Sequence, residues 1–233
     1  MRTNQVSSLR GLMARSALVI ALVMLAFTPS SAAEVFEFTV VGIDCEECSE
    51  PILETLRGIA GVEKAELDWQ AGRAKVVLVD GFEKAKLKKA IDGIGFEAVF
   101  AGEQRPDLQP LPEEVRARLD IVAFTDGSRI DLRKILVPGK VTILDYYADW
   151  CSPCHLLDIR LQHLLDSNSG LAVRRIDVGT WDNDAARQAT REFRLEALPY
   201  VRVYDVKGRF VGAVTGGSWE KIVKLVAKAE SGN

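Results

Sequence analysis

Residues 102–114 read GEQRPDLQPLPEE, with three prolines and little apolar periodicity. Proline fixes φ and removes a backbone donor, so neither a long helix nor a central strand runs through such a stretch. It acts as a semi-rigid spacer. The chain is therefore expected to fold as two units joined by a linker over 102–116. Its 233 residues suffice for two small domains.

The halves carry different patterns, and no internal repeat relates them. In residues 34–101, Val35–Val41 alternates like a strand, and Ile52, Leu53, Leu56 and Ile59 recur at helical spacing. Val62–Trp69 and Arg73–Asp80 flank Ala71-Gly72 as a hairpin would. Phe82, Leu87, Ala90, Ile91 and Ile94 mark a second helix, and 96–100 closes with a strand. The order β-α-β-β-α-β predicts an α+β, ferredoxin-like sandwich. Residues 117–233 alternate strands (121–124, 141–147, 172–178) with helices (151–166, 183–193). A strand pair (200–205, 210–214) and a last helix (219–229) follow. This order predicts an α/β mixed sheet covered on both faces.

Arg2, Arg10 and Arg15 precede an apolar run from Ala17 to Phe27, then Thr-Pro-Ser-Ser-Ala-Ala ending at Ala33. This arrangement reads as a cleaved signal peptide over 1–33. The alternative is an uncleaved membrane tether, but Arg15 leaves the run short of the roughly 20 apolar residues a span requires. Export to the periplasm is the expectation, and cleavage removes all three methionines (Met1, Met13, Met24). Outside the cytoplasm unprotected thiol pairs oxidise. Cys45/Cys48 and Cys151/Cys154 must then be protected, metal-bound or redox-active. Thirty basic residues against 33 acids disfavour nucleic acid as a partner.

The distal pair follows an apolar strand and opens a helix, where the helix dipole and free N–H groups favour thiolate. Pro153 suits the first helical turn. Trp150-Cys151-Ser152-Pro153-Cys154, Asp145 six residues earlier and Ala197-Leu198-Pro199 downstream resemble the thioredoxin superfamily over 119–230. That resemblance implies a thiol–disulfide oxidoreductase. Cys151 would be the exposed nucleophile, Cys154 the resolving thiol, Asp145 the buried proton carrier and Pro199 a cis-proline beside the substrate. Protein disulfides would be the substrates, and a membrane-bound donor would supply electrons. The alternatives are a static disulfide, a solvent-facing Asp145 and an ordinary loop proline. Val141–Tyr147 is apolar enough for burial on both faces, which favours a buried Asp145. Cys151-Ser-Pro-Cys154-His155 also spells a c-type haem attachment sequence. No methionine remains after cleavage, and His163 on the same helix cannot reach the opposite face of a haem. Neither haem nor nucleotide is expected, and His155 and His163 receive no role.

Gly42-Ile43-Asp44-Cys45-Glu46-Glu47-Cys48 sits where the first strand hands over to the first helix. With Ile94-Gly95-Phe96-Glu97, it resembles the heavy-metal-associated domain over 34–99. The resemblance implies metal ligation by Cys45 and Cys48, with Asp44 as a third donor, and a metal transporter as a partner. Two thiolates suit Cu(I) or Hg(II), and a third donor shifts the set toward Zn(II). Ile43 stands where relatives commonly have methionine, a side chain expected to pack inward. The alternative is a pair that has lost its metal and serves in redox exchange.

The expected function is an exported reductase whose second pair acts on thiols, including Cys45/Cys48 across the linker. The competing functions are a periplasmic metal-binding protein kept reduced by its second half, and a disulfide oxidase or isomerase.

Overall fold

A computed structural model of the protein describes residues 33–106 and 108–232. The expected leader falls on residues outside the described ones. No helix among the described residues is long and apolar enough to cross a membrane.

The first sheet contains β1 (Glu34–Val41), β2 (Val62–Asp68), β3 (Arg73–Leu78) and β4 (Glu97–Val99) in the order β2-β3-β1-β4. Every pairing is antiparallel. Helices α1 (Ser49–Arg57) and α2 (Ala85–Gly93) carry Ile52, Leu56, Leu87 and Ile91. These bury completely against Phe38, Val40, Ala74, Val76 and Leu78 of the strands. Apolar residues at strand spacing on one element and helical spacing on the next thus share one core.

Two short turns follow, α3 (Glu113–Arg116) and α4 (Leu132–Ile135). The first falls inside the stretch read as linker, where four residues are too few to show helical periodicity. The second sheet holds β5 (Ile121–Phe124), β6 (Val141–Tyr147), β7 (Leu171–Asp177), β8 (Tyr200–Tyr204) and β9 (Phe210–Thr215) in the order β5-β7-β6-β8-β9. β6 pairs parallel with β7 and antiparallel with β8, and all seven of its residues are buried. A strand covered on both faces reads as a continuous apolar run, and Val-Thr-Ile-Leu-Asp-Tyr-Tyr does so apart from Asp145.

Helix α5 (Ser152–Ser167) lays Leu157, Leu161 and Leu165 on the face formed by Val141 and Ile143. Helix α7 (Trp219–Ser231) adds Ile222 and Val226 to the same cluster. On the other face, α6 (Asp184–Phe193) packs Ala185, Ala186 and Ala189 against Leu144 and Tyr146. The Asn183 side chain caps α6 by accepting from the Ala186 N–H at 2.8 Å.

The first domain meets the helices of the second through polar contacts from helix α2, strand β4 and the loop after β1. Asp92 accepts from the Ser218 hydroxyl and from the Trp219 N–H, the latter at 3.1 Å. Glu97 pairs with the buried guanidinium of Arg160. The Gly42 carbonyl accepts from the Ser152 hydroxyl at 2.8 Å.

Candidate functional site

β6 ends at Tyr147, and Cys151 is the N-cap of α5 in an extended conformation. Pro153 occupies the first turn of the helix, as its missing N–H allows. The Cys154 N–H closes the turn on the Cys151 carbonyl at 2.9 Å. Cys151 and Cys154 are joined as a disulfide and lie in one buried cluster with Tyr147 and Ala148, against which the half-buried Leu198 packs. The Leu198–Pro199 peptide is cis, and Pro199 is buried. Trp150 is exposed, and its indole N–H donates to the Gly179 carbonyl at 2.9 Å.

The expected open position of Cys151 needs correcting. The residue is only 4% exposed. Both residues between the cysteines lie under the first domain. Ser152 is engaged by the Gly42 carbonyl, and a Cβ added at Gly95 would come within 2.9 Å of the Pro153 Cβ and 2.7 Å of the Gly216 carbonyl. Only a residue without a side chain fits there, and Gly95 also adopts a φ of +87°.

Asp145 is fully buried and lies on the α5 side of β6, following Val141 and Ile143. The Arg175 Nε–H donates to Oδ2 at 3.1 Å, whereas Oδ1 has no hydrogen-bond partner among the described residues. Burial pushes its carboxyl from the ordinary 3.8 up to about 6, against the attraction of Arg175. The carboxyl can therefore hold or release a proton near neutral pH. Arg175 also reaches Asp158 at 3.3 Å and stacks its guanidinium over Tyr147. Residue-type reasoning did not single out Arg175. Its only signal is its position in β7 directly beside Asp145, visible once the register is known.

The proximal pair, Cys45 and Cys48, is also a disulfide. Ligand atoms of Asp44, Cys45 and Cys48 all lie within 4.8 Å of one another. Once the sulfurs are reduced, two thiolates and a carboxylate make a donor set that suits a soft or borderline cation as cargo. Ile43 packs toward the first core, as expected. Gly42 takes a φ of +98°, and a Cβ there would collide with Leu156 of α5 at 2.6 Å. Its bare backbone is what brings this loop down onto α5.

The contact between the two cysteine loops includes a residue given no role from sequence. His155, directly after Cys154, meets Asp44 Oδ2 through Nδ1 at 2.7 Å and the Asp149 carbonyl through Nε2 at 2.9 Å. Partial burial would raise the Asp44 carboxyl, but hydrogen bonds from Ser152 and His155 outweigh it and hold the carboxyl below its ordinary value. His163 contacts the Gln109 carbonyl at 2.9 Å and lies apart from both pairs.

Comparison with known proteins divides the chain in the same way. Residues 131–228 match the family model for thioredoxin, and residues 37–97 match that for the heavy-metal-associated domain. Thioredoxin-T of Drosophila melanogaster is 28% identical over 100 residues, covering 42% of this chain and 60% of that protein. Chloroplastic thioredoxin F of Oryza sativa is 22% identical, with 46% of its length covered. The chain thus spans about half the length of these relatives. The thiol:disulfide interchange protein DsbD of Pseudomonas sp. is 28% identical over 98 residues, 38% of this chain and 17% of that protein. Among solved structures, oxidised MerP from Ralstonia metallidurans is 22% identical with a TM-score of 0.29, covering 30% of this chain and 99% of MerP. Spinach chloroplast thioredoxin F is 18% identical with a TM-score of 0.40, covering 47% of this chain and 93% of that one.

Proposed function

The chain carries a heavy-metal-associated domain and a thioredoxin domain, and from that pairing we propose an exported thiol–disulfide oxidoreductase working as a reductase. Cys151 is its nucleophile, Cys154 its resolving thiol, Asp145 its proton carrier and Pro199 its substrate-side proline. The leader over 1–33 is removed, 34–101 is the metal-handling domain, 102–116 is the linker and 117–233 is the redox domain. The observation that carries this reading is a cysteine pair at a helix N-terminus, preceded by a strand whose buried carboxyl titrates at about 6.

In the reduced enzyme the Cys151 thiolate attacks one sulfur of a substrate disulfide. A mixed disulfide forms, and the other substrate sulfur leaves as thiolate. Cys154 gives its proton to Asp145 and attacks the Cys151 sulfur. The Cys151–Cys154 disulfide forms, and the second substrate thiolate departs. Two electrons have passed to the substrate. A membrane-bound dithiol donor returns them, since nothing in the sequence has the pattern of a nicotinamide or flavin site.

Cys45–Cys48 is the internal partner of this chemistry. Its loop is held against Ser152 and His155, and a short tether gives an effective concentration on the order of millimolar. Reduction of that pair readies two thiolates for Cu(I), Hg(II) or Zn(II), with a metal transporter as recipient. A second reading, a metal-binding protein without external disulfide substrates, draws support from the convergence of Asp44, Cys45 and Cys48.

Cys154→Ser should trap mixed disulfides on Cys151, either with exported proteins or with Cys45/Cys48. A Cys151/Cys154 reduction potential nearer −270 mV than −120 mV supports a reductase. The opposite value favours an oxidase. Failure to trap any partner, together with no insulin reduction by the wild type, refutes the enzyme reading.

A further inference from the structure

Asp44, Cys45 and Cys48 supply three donors on the first domain. Zinc and similar borderline divalent cations take four. Ser152 and His155 both meet Asp44 from across the domain boundary, and the histidine sets Nδ1 2.7 Å from Oδ2. Its other nitrogen, Nε2, lies 2.9 Å from the Asp149 backbone carbonyl. A carbonyl oxygen only accepts, so Nε2 carries a hydrogen. With Nε2 engaged by the backbone, Nδ1 is the nitrogen that faces the Asp44 carboxylate. An imidazole with one nitrogen held by a backbone carbonyl and the other turned to the Asp44 carboxylate, itself grouped with Cys45 and Cys48, has the orientation of a histidine metal ligand.

We propose that His155 is the fourth donor of a metal site spanning the two domains, with Asp44, Cys45 and Cys48, suited to one borderline divalent cation such as Zn(II). The site rests on the reading that Cys45/Cys48 handle metal, and it adds a ligand from the redox domain. Two electrons from a dithiol or a phosphine, with two protons from the dithiol or from the water that converts the phosphine to its oxide, first convert the Cys45–Cys48 disulfide to thiols. Opening the S–S bond frees both sulfurs to turn toward Nδ1. The divalent ion then displaces both thiol protons and takes the place between Nδ1 and the Asp44 carboxylate. Loading therefore ties the metal domain to the helix that bears Cys151 and Cys154. The bound ion and the redox pair become mechanically linked.

The test uses the untagged full chain carrying Cys151→Ser and Cys154→Ser, so that only Cys45 and Cys48 provide thiolate. The protein is reduced with tris(2-carboxyethyl)phosphine without oxygen and titrated with Co(II), then with Zn(II) against a chromophoric chelator. One equivalent is expected to bind, with tetrahedral Co(II) absorption bands. Zn-edge X-ray absorption should show one imidazole in the first shell. His155→Gln in the same background should weaken Zn(II) binding on the order of tenfold or more and abolish the imidazole signal. His163, the other histidine of the sequence, is retained in both proteins and serves as the internal control. Affinities within twofold and unchanged spectra in the His155 variant overturn the proposal. So does weakened binding in a site where the parent shows no imidazole, since His155 would then act only through domain docking. Absence of uptake in both proteins overturns it together with the metal reading. The exchange chemistry of Cys151 and Cys154 is tested separately, by insulin reduction with the wild type.

Discussion

Replacing Asp145 with asparagine keeps the shape of the side chain and removes its ionisation, so the cost of burying the charge can be read directly. In the folded protein the carboxyl titrates near 6, compared with an ordinary value of 3.8. The folded state therefore holds its proton more tightly than the unfolded chain. Stability from this group is complete below pH 3.8 and is lost as pH rises through about 6. Each tenfold change in proton affinity is worth about 1.4 kcal/mol, so the full loss is about 3 kcal/mol. The asparagine amide cannot ionise, and its carbonyl oxygen can still accept from the Arg175 Nε–H. The variant should match the wild type near pH 4 and gain progressively up to pH 6. Above that it should hold a plateau of about 1–3 kcal/mol, the lower end allowing for the charge partner that Arg175 loses. Urea unfolding of the oxidised proteins between pH 4 and 8 measures this, because both disulfides then stay intact. A stability difference independent of pH, or a variant less stable than wild type at pH 8, would refute the electrostatic account of Asp145.

The same substitution should change the pH profile of insulin reduction. An inflection near pH 6 in the wild type should vanish in Asp145→Asn, and an unchanged profile removes Asp145 from proton transfer. Glu97→Ala leaves the Arg160 guanidinium, 6% exposed, without its partner across the domain boundary. Weakening that contact by about 1–2 kcal/mol should raise the open population about 5–30-fold, read as faster iodoacetamide capture of reduced Cys151. A rate within twofold of wild type means that docking does not depend on this pair. Asn183→Ala removes the cap of α6 and should cost about 1 kcal/mol in urea unfolding without altering the redox potential. A shift in potential would mean that α6 reports to the cysteine pair.

Much of this architecture was legible along the chain because it is decided by neighbours in sequence. The seven-residue run Val141–Tyr147 emerges as the central strand at its expected limits, since burial on both faces leaves its mark on every residue. The alternation of Val35–Val41 and the helical spacing of Ile52 and Leu56 likewise announce one-sided burial. The turns Glu113–Arg116 and Leu132–Ile135 were not legible, because four residues span barely one helical period. The last strand of the first sheet is shorter than its pattern, Glu97–Val99, since it pairs only with the end of β1.

By itself the sequence determined the two folds, the two cysteine pairs at strand-to-helix junctions and the buried carboxyl between sheet and helix. Tertiary structure alone decided that Cys151 is covered, that Arg175 partners Asp145 and that His155 faces Asp44. Gly42, Asp44 and Gly95 lie far upstream of Ser152, Pro153 and His155, and no periodicity links segments so distant. Where they meet, two glycines leave room that a Cβ would fill, and the charge pair Glu97–Arg160 bridges the boundary. Local patterns encode which face of an element seeks a core. Which other surface that element then meets is set by shape and charge across the whole fold.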